Sequence, residues 1–137
     1  MRNRHTVAAV LAAATGLAAV LTAPAASAAQ APESRLDLTI TQRSDNGQQQ
    51  ASSQRYVGLE CGPAGGGHPR AEEACAALEE AGGDFDRLAT DPGACTLEYA
   101  PVTVAATGHW RGSEVDYEEE FANSCTAARR TAGIFDF

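Results

Sequence analysis

From Leu36 to Arg43, apolar Leu36, Leu38 and Ile40 alternate with Asp37, Thr39 and Thr41, a period of two that predicts a strand with one buried face. The polar run Ser44 to Ser53 predicts a turn or mobile loop. Tyr56, Val57 and Leu59 then resume an extended segment that leads into Cys61, so the two pieces pair as an antiparallel hairpin with a long connection. Gly62 to Pro69, rich in Gly and Pro, predicts irregular chain. Across Glu72 to Glu80 the pattern changes to a helical one, with Ala71, Cys75, Leu78 and Ala81 near a common face and Gly82-Gly83 as the stop. Asp84 starts a further turn through Phe85 and Leu88, and Asp91-Pro92-Gly93 makes a tight turn.

Beyond Pro101 the period of two returns. Val102 and Val104 alternate with Thr103 and Ala105, Gly108 leads into a second run at Val115, Tyr117 and Phe121, and the two predict a strand pair. Thr126 to Arg130 reads as helical, and Ile134-Phe135-Asp136-Phe137 alternates again, predicting a short final strand. Strands that pair in sequence order, with helices between and after them, imply an α+β domain: one antiparallel sheet with two short helices packed on one face.

The first residues belong to a different kind of segment. Arg2 and Arg4, an apolar run from Val7 to Leu21 and the small residues Ala26-Ser27-Ala28 form the three parts of a secretory signal over Met1 to Ala28. Thr15, Gly16, Thr22 and Pro24 break the run and shorten it below the ~20 residues of a membrane span. Cleavage after Ala28 leaves one domain, Ala29 to Phe137, which is exported and released, with no membrane partner. All ten cationic residues of the 137-residue chain are Arg, set against 18 acidic ones. Removing the signal takes two Arg and no acid, leaving a net charge of about −10 that opposes binding to a phosphate backbone and excludes nucleic acid as a partner.

Cys61, Cys75, Cys95 and Cys125 survive export, and an even number in an oxidising compartment implies two disulfides with three possible pairings. The spacings lack any Cys-x-x-Cys or His-x-x-x-His pair, so they do not suggest zinc, and nothing in the chain calls for a metal or cofactor. His68 and His109 have no Gly-x-Ser-x-Gly or His-Glu-x-x-His companion, and Glu118, Glu119 and Glu120 read as a solvated strand face. Trp110 reads as packing. These residues give no support for an enzyme. Gln48-Gln49-Gln50 and Gln54, in the expected loop, support an alternative: a secreted structural protein or transglutaminase substrate. The absence of Lys rules out self-cross-linking through lysine.

The segment Ala94-Cys95-Thr96-Leu97-Glu98-Tyr99 lies between the tight turn and Pro101. A disulfide at Cys95 tethers one side, Pro101 stiffens the other, and Leu97 has no obvious core partner, which builds a fixed, protruding loop. Taken alone, a Leu in such a segment reads more readily as the core residue of an edge strand. Its surroundings reverse that reading, because the chain resembles the Streptomyces subtilisin inhibitor family over nearly its whole mature length. The resemblance lies in Leu59-Glu60-Cys61-Gly62-Pro63, the Gly-rich approach to His68-Pro69, Ala74-Cys75 with Leu78, Gly82-Gly83-Asp84, and Cys95 two before Leu97. It continues through Tyr99, Pro101-Val102, Trp110-Arg111-Gly112, Val115, Tyr117-Glu118, Phe121-Ala122-Asn123, Cys125 and the Phe-Asp-Phe ending. Thr96 and Glu98 depart from it, standing where the family often has proline and where its best-known pattern has an apolar residue.

The resemblance implies disulfides Cys61-Cys75 and Cys95-Cys125, a reactive bond between Leu97 and Glu98, and extracellular serine proteases of the subtilisin-like and chymotrypsin-like kinds as partners. It also implies a homodimer formed through the sheet, for which the strand pair Leu36 to Arg43 and Tyr56 to Leu59 is expected to expose an apolar face. Cys95-Thr96-Leu97-Glu98-Tyr99 is also similar to the reactive loop of Kazal-type inhibitors, although four cysteines at these spacings rule out that fold.

Overall fold

The computed structural model describes residues 31–45 and 50–137. The expected signal, Met1 to Ala28, lies outside the described residues, as do Gln48 and Gln49. Five antiparallel strands form one sheet: β1 (Ser34–Asp45), β2 (Gln50–Cys61), β3 (Gly65–Gly66), β4 (Val102–Trp110) and β5 (Ser113–Phe121), in the spatial order β3-β2-β1-β4-β5. Helices α1 (Ala71–Ala81) and α2 (Ser124–Arg130) complete the α+β domain. The alternation seen in the sequence sets the register. Leu36 faces Leu59, while Leu38 faces Ala106 and Ile40 faces Val104 on the other side of the central strand. Leu36, Leu38, Ile40, Leu59, Val102, Val104 and Ala106 are all buried, and Ala74 and Leu78 of α1 and Ala127 of α2 join the same core. Each large aliphatic side chain buried there contributes about 1.5–3 kcal/mol.

Two glycines end α1 as expected. Gly82 adopts the left-handed conformation that completes the helix, and the Gly83 N–H donates to the Leu78 carbonyl at 2.8 Å. Gly83, also at positive φ, lies so close to the Trp110 ring that any Cβ there would collide with it. Asp84 then caps the single 3-10 turn Phe85–Arg87 by accepting the Asp86 N–H at 3.0 Å. Phe85 stacks on Tyr117 with ring centroids 4.8 Å apart. Tyr117 donates its hydroxyl to Glu119 at 2.6 Å; burial, then the hydrogen bond and charge of Glu119, hold its pKa far above the ordinary tyrosine range.

The structure departs from the sequence pattern in three places. The expected loop Ser44 to Ser53 is mostly strand, since β1 and β2 remain paired as far as Asp45 opposite Gln50. Gln42, Arg43, Ser52 and Ser53 are exposed, so this end of the ladder has no apolar alternation to reveal it and depends on backbone hydrogen bonds. Within Gly62 to Pro69, expected to be irregular, Gly65 and Gly66 pair with Glu60 and Leu59 as β3.

The tail adds no strand. Ile134 and Phe135 are consecutive and both buried, in a run of turns in which the Ile134 N–H donates to Thr131 and that of Asp136 to Gly133. His68 secures this plug, its Nε2–H donating to the Ile134 carbonyl at 2.8 Å while its Nδ1 accepts the Arg70 N–H. Arg70 pairs with Asp136 at 2.7 Å, and the Arg55 guanidinium donates to the Phe137 carbonyl.

Candidate functional site

From Ala89 to Tyr99 the chain has no regular structure and every residue is exposed except Cys95, which is half-buried. Leu97 is at the crest with a relative exposure of 103%, as open as a Leu in an isolated peptide, and Tyr99 follows at 77%. A large apolar side chain so placed contributes nothing to the core, and Leu97 and Tyr99 together put two large apolar side chains on one short exposed segment. Ala94, Thr96 and Glu98 are also exposed, so the structure brings the whole predicted segment, Ala94 to Tyr99, to one surface.

Attachments on both sides of Leu97 hold it there. Cys95 is bonded to Cys125 of α2, with Cα atoms 5.8 Å apart, and the second bridge joins Cys61 at the end of β2 to Cys75 of α1. Of the three pairings the sequence allowed, this is the one the resemblance implied. Asn123 supplies an anchor to which the sequence reading gave no role. Its Oδ1 caps α2 by accepting the Thr126 N–H at 2.8 Å, which turns its amide toward the loop. That amide donates to the Thr96 carbonyl at 3.3 Å and to the Glu98 carbonyl at 2.8 Å, one on each side of Leu97. The Ala100 N–H donates to the Ala122 carbonyl at 2.9 Å, joining the far side of the loop to the end of the sheet. An Asn just before a short helical run is a recognisable cap signal, but its second use, across about 25 residues, leaves no local trace in sequence.

The residues considered for other chemistry lie apart from this loop and from one another. His68 is buried against the tail, His109 is exposed on β4, and Glu118, Glu119 and Glu120 are exposed along β5. Trp110 is buried, and the Arg111 guanidinium lies 5.8 Å from the centre of its ring. Gln54 lies on β2, where its amide donates to the Thr41 hydroxyl at 3.3 Å. The outward face of β1 and β2 differs from the apolar one expected. It presents Arg35, Asp37, Thr39 and Thr41 beside Gly58, and its one large exposed apolar side chain among the described residues is Tyr56.

A small α+β scaffold, braced by two disulfides, thus presents one tethered peptide segment, with no convergent polar groups of a catalytic centre beside it among the described residues. The Subtilisin inhibitor-like family model matches residues 32–123, and the chain belongs to that family, one of protease inhibitors and not of enzymes. It is 41% identical, over the full length of both chains, to the Subtilase-type protease inhibitor of Streptomyces fradiae. Subtilisin inhibitor-like protein 1 of Streptomyces cacaoi is 48% identical over 64% of this chain and 83% of its own. Among solved structures, Streptomyces caespitosus sermetstatin, crystallised in complex with Bacillus licheniformis subtilisin, is similar with a TM-score of 0.56 and 27% identity, covering 76% of this chain and 96% of that one.

Proposed function

We propose that this protein is a secreted inhibitor of subtilisin-like and chymotrypsin-like serine proteases, presenting Leu97-Glu98 as the reactive bond. The observation that carries this reading is the fully exposed Leu97 side chain between two backbone carbonyls held by Asn123. A serine protease binds an extended peptide, inserts one side chain into its primary pocket and attacks the following carbonyl, stabilising the oxyanion with preset N–H donors. A loop already ordered in the free inhibitor loses little conformational entropy on binding, so a standard-sized interface is sufficient for tight association. If the bond is cut, the Thr96 side of the break remains tied to α2 through Cys95, while the Glu98 side remains tied through Asn123 and the Ala100 bond to the sheet. The new amine therefore stays beside the acyl group, and religation competes with hydrolysis.

Titration of subtilisin and chymotrypsin with the purified protein is expected to give stoichiometric inhibition at nanomolar concentration, with trypsin at least about a hundredfold weaker because its pocket selects Lys or Arg. Equal inhibition of trypsin would move the reactive position away from Leu97, and inhibition of none of the three would end the proposal. Export through Met1 to Ala28 and dimerisation through the outward face of β1 and β2 belong to the same reading. Exposed Tyr56, opposite Thr39 and two residues from Gly58, supplies the apolar centre of that self-complementary contact. Sedimentation equilibrium at micromolar concentration is expected to give twice the monomer mass, and the Tyr56→Arg variant a monomer. A monomeric parent protein would remove the dimer from the reading.

A further inference from the structure

We propose that Arg129 is a positioning residue for the reactive segment, latching the stem Asp91 to Ala94 onto α2 and so setting the direction in which Thr96 and Leu97 leave Cys95. This inference rests on the assignment of Leu97-Glu98 above. The stem is not supported by the core: Thr90 and Asp91 border an open groove of about 660 Å³, with Ser124 and Ala128 on its other side. Asp91 is attached to α2 twice, its N–H donating to the Arg129 carbonyl at 2.9 Å and its carboxylate accepting from the Arg129 guanidinium at 3.1 Å. The same carboxylate oxygen accepts the Gly93 N–H at 3.1 Å, folding the turn around the guanidinium.

Gly93 shows how closely the two parts fit. The guanidinium occupies the space where a Cβ at Gly93 would stand, while the backbone of Gly93 lies outside the positive-φ region. A Cβ at this position therefore displaces the Arg129 guanidinium from its place against the turn. Cys125 and Arg129 are four residues apart on α2 and share a face, so the disulfide and the latch hold the stem at two points along one rigid helix. With the disulfide alone, the stem would pivot about Cys95.

Little of this benefits the fold as a whole. The ion pair is half open to solvent, where such pairs contribute little, and the Arg129 Nε is buried without a hydrogen-bond partner among the described residues. Removing Arg129 is therefore expected to change the order of the loop far more than the melting temperature.

The test compares Arg129→Ala, Gly93→Ala and the double variant with the parent protein. Inhibition constants against subtilisin, the rate of cleavage at Leu97-Glu98, thermal midpoints and amide hydrogen exchange in the free protein are measured. Each single substitution is expected to weaken inhibition about tenfold and hasten cleavage, at a nearly unchanged midpoint. The double variant is expected to be no worse than Arg129→Ala, because Gly93→Ala has nothing to displace once the guanidinium is gone. Arg129→Lys, which keeps the charge opposite Asp91, is expected to recover part of the loss. Faster exchange of the Asp91 and Gly93 amides in Arg129→Ala supports the latch without any protease, so it decides this inference even if the parent protein inhibits nothing. Unchanged exchange at those amides, or additive losses from the two single substitutions, would overturn it.

Discussion

Leu97→Lys is expected to turn the protein into a strong inhibitor of trypsin, raising affinity for that enzyme by about a thousandfold or more. The side chain at the crest is fully exposed and its backbone is held by neighbours, so the substitution alters neither the core nor the loop. In trypsin's acidic primary pocket the lysine forms a buried charge pair, and truncating one partner of such pairs costs about 3–5 kcal/mol. Leu97→Ala, which only removes apolar contact, is expected to weaken subtilisin binding by about 1.5–3 kcal/mol, roughly tenfold to a hundredfold. Both effects are read from inhibition constants at equal melting temperature. No gain against trypsin would mean that the primary pocket receives another residue, with Tyr99, also well exposed, the next to examine.

Cys95→Ala/Cys125→Ala is expected to change from an inhibitor into a slowly digested substrate, with the first cleavage between Leu97 and Glu98. The two cysteines are 30 residues apart in sequence, and closing a loop of that size stabilises the fold by about 3.7 kcal/mol in the chain-entropy account. Cys61-Cys75, closing 14, contributes about 3 kcal/mol by the same account, so the two double variants should lose comparable stability. They should differ in function. Cys95 is two residues before Leu97, whereas Cys61 and Cys75 join the end of β2 to α1, away from the loop. Without the bridge at Cys95, the Thr96 side of a cut bond keeps only hydrogen bonds to Asn123 and Arg129, so it separates from the Glu98 side more often and religation gives way to hydrolysis. Timed digests followed by mass spectrometry, with inhibition constants for both double variants below their melting temperatures, decide the matter. Retained inhibition by the Cys95/Cys125 variant, or a first cut at another bond, would mean that the restraint or the reactive site lies elsewhere.

Local pattern was informative where one face of an element is buried. Leu36, Leu38 and Ile40, Val102 and Val104, and the Gly82-Gly83 stop each state their conformation within a few residues, because burial of alternate side chains and the freedom of glycine at positive φ act locally. The far ends of β1 and β2 were illegible for the converse reason: Gln42, Arg43, Ser52 and Ser53 are all exposed, and backbone pairing leaves no mark on side-chain type. The tail misled because two apolar residues separated by an acidic one match a strand, whereas Ile134 and Phe135 both enter the core from a turn closed by His68, 66 residues earlier.

The exposed segment proposed as reactive divides in the same way. That Ala94 to Tyr99 forms an exposed loop with an apolar side chain at Leu97 was legible from Cys95, Leu97 and Pro101 together with the family resemblance, since the order of residues along a chain is itself sequence information. Its rigidity was not. The amide of Asn123 reaching two carbonyls about 25 residues away, and Arg129 occupying the space beside Gly93, depend on α2 being laid against the loop. Packing of the helix on the sheet brings them there, and only tertiary structure decides which distant donor meets which carbonyl.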